Sequence, residues 1–83
     1  MDNVTTVGID LAKSVFSLHG VDARGKVVLR RTVSRAKLAE LVAQLAPCLV
    51  AMEACGGAHE WARRFVPFGH EVRLIAARFV TPY

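Results

Sequence analysis

The sequence predicts an α/β domain on a mixed five-stranded sheet, in the order β-β-β-α-β-α-β, with helices on both faces. Two patterns carry that prediction. Residues 4–33 hold three alternating apolar stretches separated by short polar turns, which is a β-meander. Residues 34–75 then switch twice between helical spacing and short apolar runs, which is the signature of α-β units added to a sheet.

Each element has a local reason. Val4 to Leu11 is β-branched and bounded by polar residues, with Val7, Ile9 and Leu11 on one face and Thr6, Gly8, Asp10 and Ala12 on the other. Ser14 to Val21 alternates again. Asp22-Ala23-Arg24-Gly25 then supplies a hairpin turn, with Gly25 free to take positive φ. Lys26 to Val33 makes a third strand, and its Arg30-Arg31 pair suits a sheet edge. Ser34 is placed to cap a helix whose apolar positions Leu38, Leu41, Val42 and Leu45 recur until Pro47 forbids continuation. The run Cys48 to Met52 reads as a strand buried on both faces. After the Gly56-Gly57 turn, Ala58 to Phe68 forms a helix with Trp61, Phe65 and Phe68 on one stripe, closed by Gly69. His70 to Ile75 alternates as the last strand.

Composition limits what such a domain does. With 83 residues there is room for one small domain, and 53% hydrophobic against 22% charged residues excludes a disordered or collagen-like chain. Eleven Lys+Arg against seven Asp+Glu leave 11 − 7 = +4, and eight of the eleven are Arg, the side chain suited to phosphate. Two cysteines, Cys48 and Cys55, make no disulfide framework, and Met1-Asp2-Asn3 opens no secretory signal. The longest apolar run, Leu45 to Met52, contains Pro47 and is far short of a membrane span. A cytoplasmic location is expected.

Asp10 is the residue that packing does not explain, because a carboxylate on a central strand needs a partner or a metal. Glu53 is its counterpart at the end of the other buried strand. If both strands end at the same sheet edge, they run parallel and the two acids project together where open α/β sheets place ligands. Two adjacent carboxylates repel, and a hard divalent cation such as Mg²⁺ relieves that repulsion. Their carboxylates are then expected about 4–7 Å apart, with Mg²⁺–oxygen bonds of about 2.1 Å. The plainer alternative is that Asp10 caps its turn and Glu53 caps the helix that follows.

Three stretches carry a family resemblance: Val7-Gly8-Ile9-Asp10-Leu11-Ala12-Lys13, Met52-Glu53-Ala54-Cys55-Gly56-Gly57-Ala58-His59-Glu60-Trp61-Ala62-Arg63 and Gly69-His70-Glu71-Val72-Arg73-Leu74-Ile75. Together with Val80-Thr81-Pro82-Tyr83 they resemble the DEDD-type transposases of bacterial insertion sequences, whose N-terminal domain is RuvC-like, of the ribonuclease H superfamily. The resemblance implies that residues 1–83 are a partial RuvC-like catalytic domain, incomplete at its C-terminal side. It also implies that Asp10 and Glu53 are the first two of four acidic metal ligands, catalytic and Mg²⁺-binding. It further implies metal-dependent DNA strand cleavage and transfer, with DNA and a structured guide RNA as partners and a homo-oligomer at full length. Ala76 to Tyr83 has no polar tail character, so the chain is expected to be the front of a longer protein, inactive alone. One sheet face should then lack cover, exposing Val72, Leu74 or Ile75 and leaving the chain marginally folded or self-associating.

The remaining candidates have two readings each. Lys13 could reach a phosphate beside the metal or simply be a solvated turn lysine. Arg24, Lys26, Arg30, Arg31, Arg35 and Lys37 form a basic stretch with no acid between Asp22 and Glu40. Lys13, Arg30, Arg31 and Arg35 are the candidate nucleic-acid contacts, although alternation sends Arg30 and Arg31 to opposite faces and a solvated edge is the more frequent explanation of such a stretch. Cys48, Cys55, His59 and His70 lack zinc-site spacing, so Cys48 reads as core, Cys55 as a turn residue and His59 as a pocket-lining or surface residue. Trp61, Phe65 and Phe68 read as packing. A sugar-kinase or actin-like ATPase also opens with such a strand and meander, but it places Gly and Thr after the Asp, where Leu11-Ala12-Lys13 stands here. A non-catalytic remnant is the third reading.

Overall fold

A computed structural model describes residues 3–11, 14–54 and 57–75. Five strands and two helices appear in the expected order: β1 (Thr6–Leu11), β2 (Val15–Val21), β3 (Val27–Ser34), α1 (Arg35–Gln44), β4 (Leu49–Glu53), α2 (Ala58–Phe65) and β5 (Glu71–Ile75), with a 3-10 turn (Val66–Phe68) after α2. The sheet order is β3-β2-β1-β4-β5. β1 is antiparallel to β2 and β2 to β3, whereas β4 pairs parallel with β1 and β5 parallel with β4.

Turns and caps follow residue chemistry. In the β2–β3 hairpin the Asp22 carboxylate accepts from the Arg24 and Lys26 amides at 2.9 and 3.0 Å, and Gly25 adopts φ +81°. Ser34 holds the N-cap position of α1 in extended conformation, but its hydroxyl makes no capping hydrogen bond, which corrects half of that expectation. The helix ends at Gln44 with Leu45 already extended, ahead of Pro47. Pro47 thus stops the helix early rather than at its own position. Pro67 lies in the 3-10 turn, and Gly69 at φ +93° ends it as expected.

Both helices pack on one face, which corrects the expectation of helices on both. Phe16 of β2 meets Trp61 of α2 edge-on at 5.6 Å, and Arg35 of α1 lies over both rings. The reason is topological. β3-α1-β4 and β4-α2-β5 both join parallel strands and both move the same way across the sheet. Right-handed crossovers moving one way put their helices on one side. Under them lie Val7 and Ile9 of β1, Phe16 and Leu18 of β2, Val50 and Met52 of β4, with Leu38, Val42, Trp61 and Phe65 above.

The second face has no helix over it among the described residues. β4 is therefore not buried on both faces: Val50 and Met52 are fully buried, but Leu49, Ala51 and Glu53 are half-buried. Of the apolar β5 residues expected to be exposed, all are half-buried, and Val72 and Leu74 pack against the helix-covered core. Alternation leaves Ile75 on the helix-free face. Phe68, expected on the stripe of the second helix, lies instead in the 3-10 turn and is exposed.

Candidate functional site

The parallel pairing of β1 and β4 runs from Thr6↔Leu49 to Ile9↔Met52. The next residue on each strand is Asp10 and Glu53. Because Ile9 and Met52 are fully buried under the helices, alternation turns both carboxylates to the helix-free face. They stand at the carboxyl ends of adjacent parallel strands, which lie about 4.8 Å apart in a sheet. Asp10 is exposed and Glu53 half-buried, so among the described residues the site is an open ledge. Opposite Asp10 on β2 is Ser17, and beyond it Thr32 on β3; beside Glu53 on β5 is Ile75.

Neither carboxylate accepts a hydrogen bond or meets a cation among the described residues, where the ion pairs are Lys37–Glu40, Arg63–Glu60 and Arg73–Glu71. Nor does Glu53 cap α2: Gly57 occupies the N-cap position and no side chain bonds there. Among the described residues, the oxygens of both acids are free for a ligand. No third His, Cys, Asp or Glu joins them among the described residues.

The basic candidates separate. Arg30 pairs with His19 on the helix-free side and Arg31 with fully buried Leu18 on the helix side, so they face apart as alternation requires. Arg35 begins α1, its amide donating to the Ser14 carbonyl at 3.2 Å. Lys13, Cys55, Gly56 and residues 76–83 lie outside the described residues. His59 is exposed on α2.

Cys48 is a buried free thiol, as expected, and burial pushes its pKa up. His70 is the residue that the sequence reading missed. Its ring is buried, with Nδ1 accepting the Cys48 amide at 3.1 Å. Since a backbone N–H only donates, the ring proton sits on Nε2, which donates to the Val42 carbonyl at 2.8 Å. One imidazole thus ties the starts of β4 and β5 to the end of α1. A polar residue between Gly69 and an alternating strand was the available signal.

No protein-family model matches the chain, and no solved structure matches it. Curated relatives do. It is 57% identical over 81 residues to a Pseudomonas aeruginosa protein named "Probable family 20 transposase", covering 98% of this chain and 24% of that protein. It is 46% identical over 83 residues to the transposase for insertion sequence element IS1328 of Yersinia enterocolitica, covering 100% of this chain and 25% of that one. It is 45% identical over 83 residues to the transposase for insertion sequence element IS1111A of Coxiella burnetii, with 100% and 23% covered. Over its whole length, then, this chain is homologous to the transposases of insertion-sequence elements, and it spans about a quarter of the length of these relatives.

Proposed function

We propose that the chain supplies the first two acidic ligands of a metal-dependent DNA strand-cleavage and strand-transfer centre, in a ribonuclease H-like (RuvC-like) domain of a DEDD-type transposase. The carrying observation is that Asp10 and Glu53 are next in register at the ends of parallel central strands, on the helix-free face. The strand order β3-β2-β1-β4-β5, with both crossovers moving one way, supports the ribonuclease H-like reading. The relatives' names support transposition over the sugar-kinase or actin-like ATPase reading.

Paired hard oxygen donors, unengaged by hydrogen bonds among the described residues, suit Mg²⁺. When bound, the ion supplies positive charge where negative charge develops on a transferring phosphate. Asp10 and Glu53 would hold it: their backbones are fixed by pairing with Ser17 of β2 and Ile75 of β5, one step beyond the β1–β4 ladder, so the carboxylates need little ordering to act together. An ion held by these two carboxylates would take its remaining oxygen ligands from water and substrate. DNA is the proposed substrate, with a structured guide RNA and further copies of the protein as partners, acting in the cytoplasm. No helix among the described residues is long and apolar enough to cross a membrane.

The test is Asp10→Asn and Glu53→Gln in the full-length transposase, read by strand cleavage, Mn²⁺-induced relaxation and circular dichroism. Each variant should lose cleavage and paramagnetic broadening at this sheet edge while keeping its fold. Retained cleavage, or activity lost only in proportion to folded protein, would return both residues to structural roles.

A further inference from the structure

The helix-covered side carries a second constellation at the same sheet edge. Trp61, one turn into α2, is only 3% exposed. Two guanidiniums lie against its ring: the Arg64 Cζ is 4.3 Å from the ring centroid and the Arg35 Cζ 5.6 Å. Arg35 also lies 5.9 Å from the Phe16 ring. Chain geometry accounts for both. Arg64 is three residues beyond Trp61 on one helix, so it folds over the same face. Arg35 opens α1 where the chain leaves β3, and its amide is fastened to the Ser14 carbonyl just ahead of β2. That is the end at which β1 stops after Asp10 and β4 stops at Glu53.

Both arginines are exposed although the ring beneath them is not, and neither meets a carboxylate among the described residues. Glu60, one turn before Arg64, is taken instead by Arg63 at 3.1 Å. A guanidinium drawn to a ring by cation–π attraction makes no hydrogen bond there, so its N–H groups remain for a ligand. Held this way, the side chain has less freedom to lose on binding than an arginine in water. Arg31 is exposed on the same side of the sheet and meets no carboxylate among the described residues, so positive charge continues along β3.

We propose that Arg35 and Arg64, braced on Trp61, form a docking surface for the sugar–phosphate backbone of duplex DNA, leading that backbone to the sheet edge where Asp10 and Glu53 stand. The proposal rests on the reading that strand cleavage occurs at those carboxylates, and it adds the contacts that position the strand. Two forked donors flanking one ring suit successive phosphates.

Trp61 is the chain's one tryptophan, so its emission reports on this surface. The full chain is titrated with a short duplex of mixed sequence across a salt series, following Trp61 emission and DNA anisotropy. Binding should change the emission and weaken with salt. R35Q/R64Q should lower the log–log salt slope by about 2, one per lost phosphate contact, and reduce affinity by roughly 10-fold or more. R35K/R64K keeps the charge but not the plane or the fork, so the slope should persist while affinity falls several-fold and the emission response shrinks. That lysine pair decides the matter if the glutamine pair does not fold by circular dichroism. Unchanged affinity in either double variant, no binding by the parent chain at low salt, or tighter binding of an RNA hairpin than of the duplex would overturn the proposal. The carboxylate reading is scored separately, by metal relaxation in D10N and E53Q.

Discussion

Replacing His70 with Leu should destabilise the fold by more than any surface change, and the structure says by how much. The substitution keeps an apolar side chain in the space but removes both ring nitrogens. The Cys48 amide, which donates to Nδ1 at 3.1 Å, is left without its partner. An orphaned buried donor costs about 1–3 kcal/mol. The Val42 carbonyl loses the Nε2–H bond of 2.8 Å but keeps the Leu45 amide at 3.2 Å, so its loss is nearer the ordinary net worth of a hydrogen bond, about 0.5–1.5 kcal/mol. The sum is about 1.5–4.5 kcal/mol, a large share of the roughly 4–12 kcal/mol that a domain of this length holds. In a melt it appears as a drop of roughly 10–30 °C. Urea unfolding followed by circular dichroism measures it directly, with the m-value as a check that the end states are unchanged. Cys48→Ala is the control: it keeps the backbone amide and removes only the thiol, 3.7 Å from Nδ1, so it should cost less than His70→Leu. A loss under about 0.5 kcal/mol in His70→Leu at constant m would refute the reasoning, because it would mean that water satisfies the Cys48 amide at no cost.

Three further outcomes follow from the packing. Gly20→Ala should destabilise by about 1–3 kcal/mol, since a Cβ there would stand 2.9 Å from the Leu29 Cβ and 3.0 Å from the Val4 Cγ1; equilibrium unfolding checks it. Gly69→Ala and Gly25→Ala both force Ala into positive φ, at about 1–2 kcal/mol, but only at position 69 does the Cβ meet a neighbour, 3.2 Å from the Pro47 Cγ. Gly69→Ala should therefore cost more, and equal losses in paired melts would count against the contact. The Cys48 thiol should resist alkylation until the protein unfolds, read peptide by peptide in a mass spectrometer. Because burial raises its folded pKa, the folded state keeps a proton that the unfolded state releases. Its contribution to stability is thus intact below the ordinary thiol range and declines as pH rises from there toward the raised value.

The one-sided packing of the helices shapes how the candidate site can work. With α1 and α2 on the same face, Asp10 and Glu53 emerge on a surface that the described chain leaves open, where a polymer as broad as a duplex can approach. Arg35 and Arg64 sit at the same edge but on the covered side. The two groups thus flank one rim of the sheet rather than sharing a pocket.

Local sequence determined the strands, the helices and the acidic pair, because each depends on spacing within one element. Alternation alone puts Asp10 opposite Ile9, and the ends of the first strand and of Leu49–Glu53 are readable from the turns that follow. Arg30 and Arg31 facing apart is likewise a property of one strand. Tertiary structure decided what depends on how elements meet. Which face the helices cover follows from the handedness and common direction of two crossovers, and no window of residues displays that. Ser34 stands where a cap belongs, yet whether its hydroxyl bonds an amide turns on a rotamer that spacing does not set. His70 acquires its role only when the starts of β4 and β5 lie side by side beneath the end of α1, which brings together groups 22 and 28 residues away in the chain. Arg35 reaches Trp61 for the same reason: their contact is made by packing α1 and α2 on one face of the sheet.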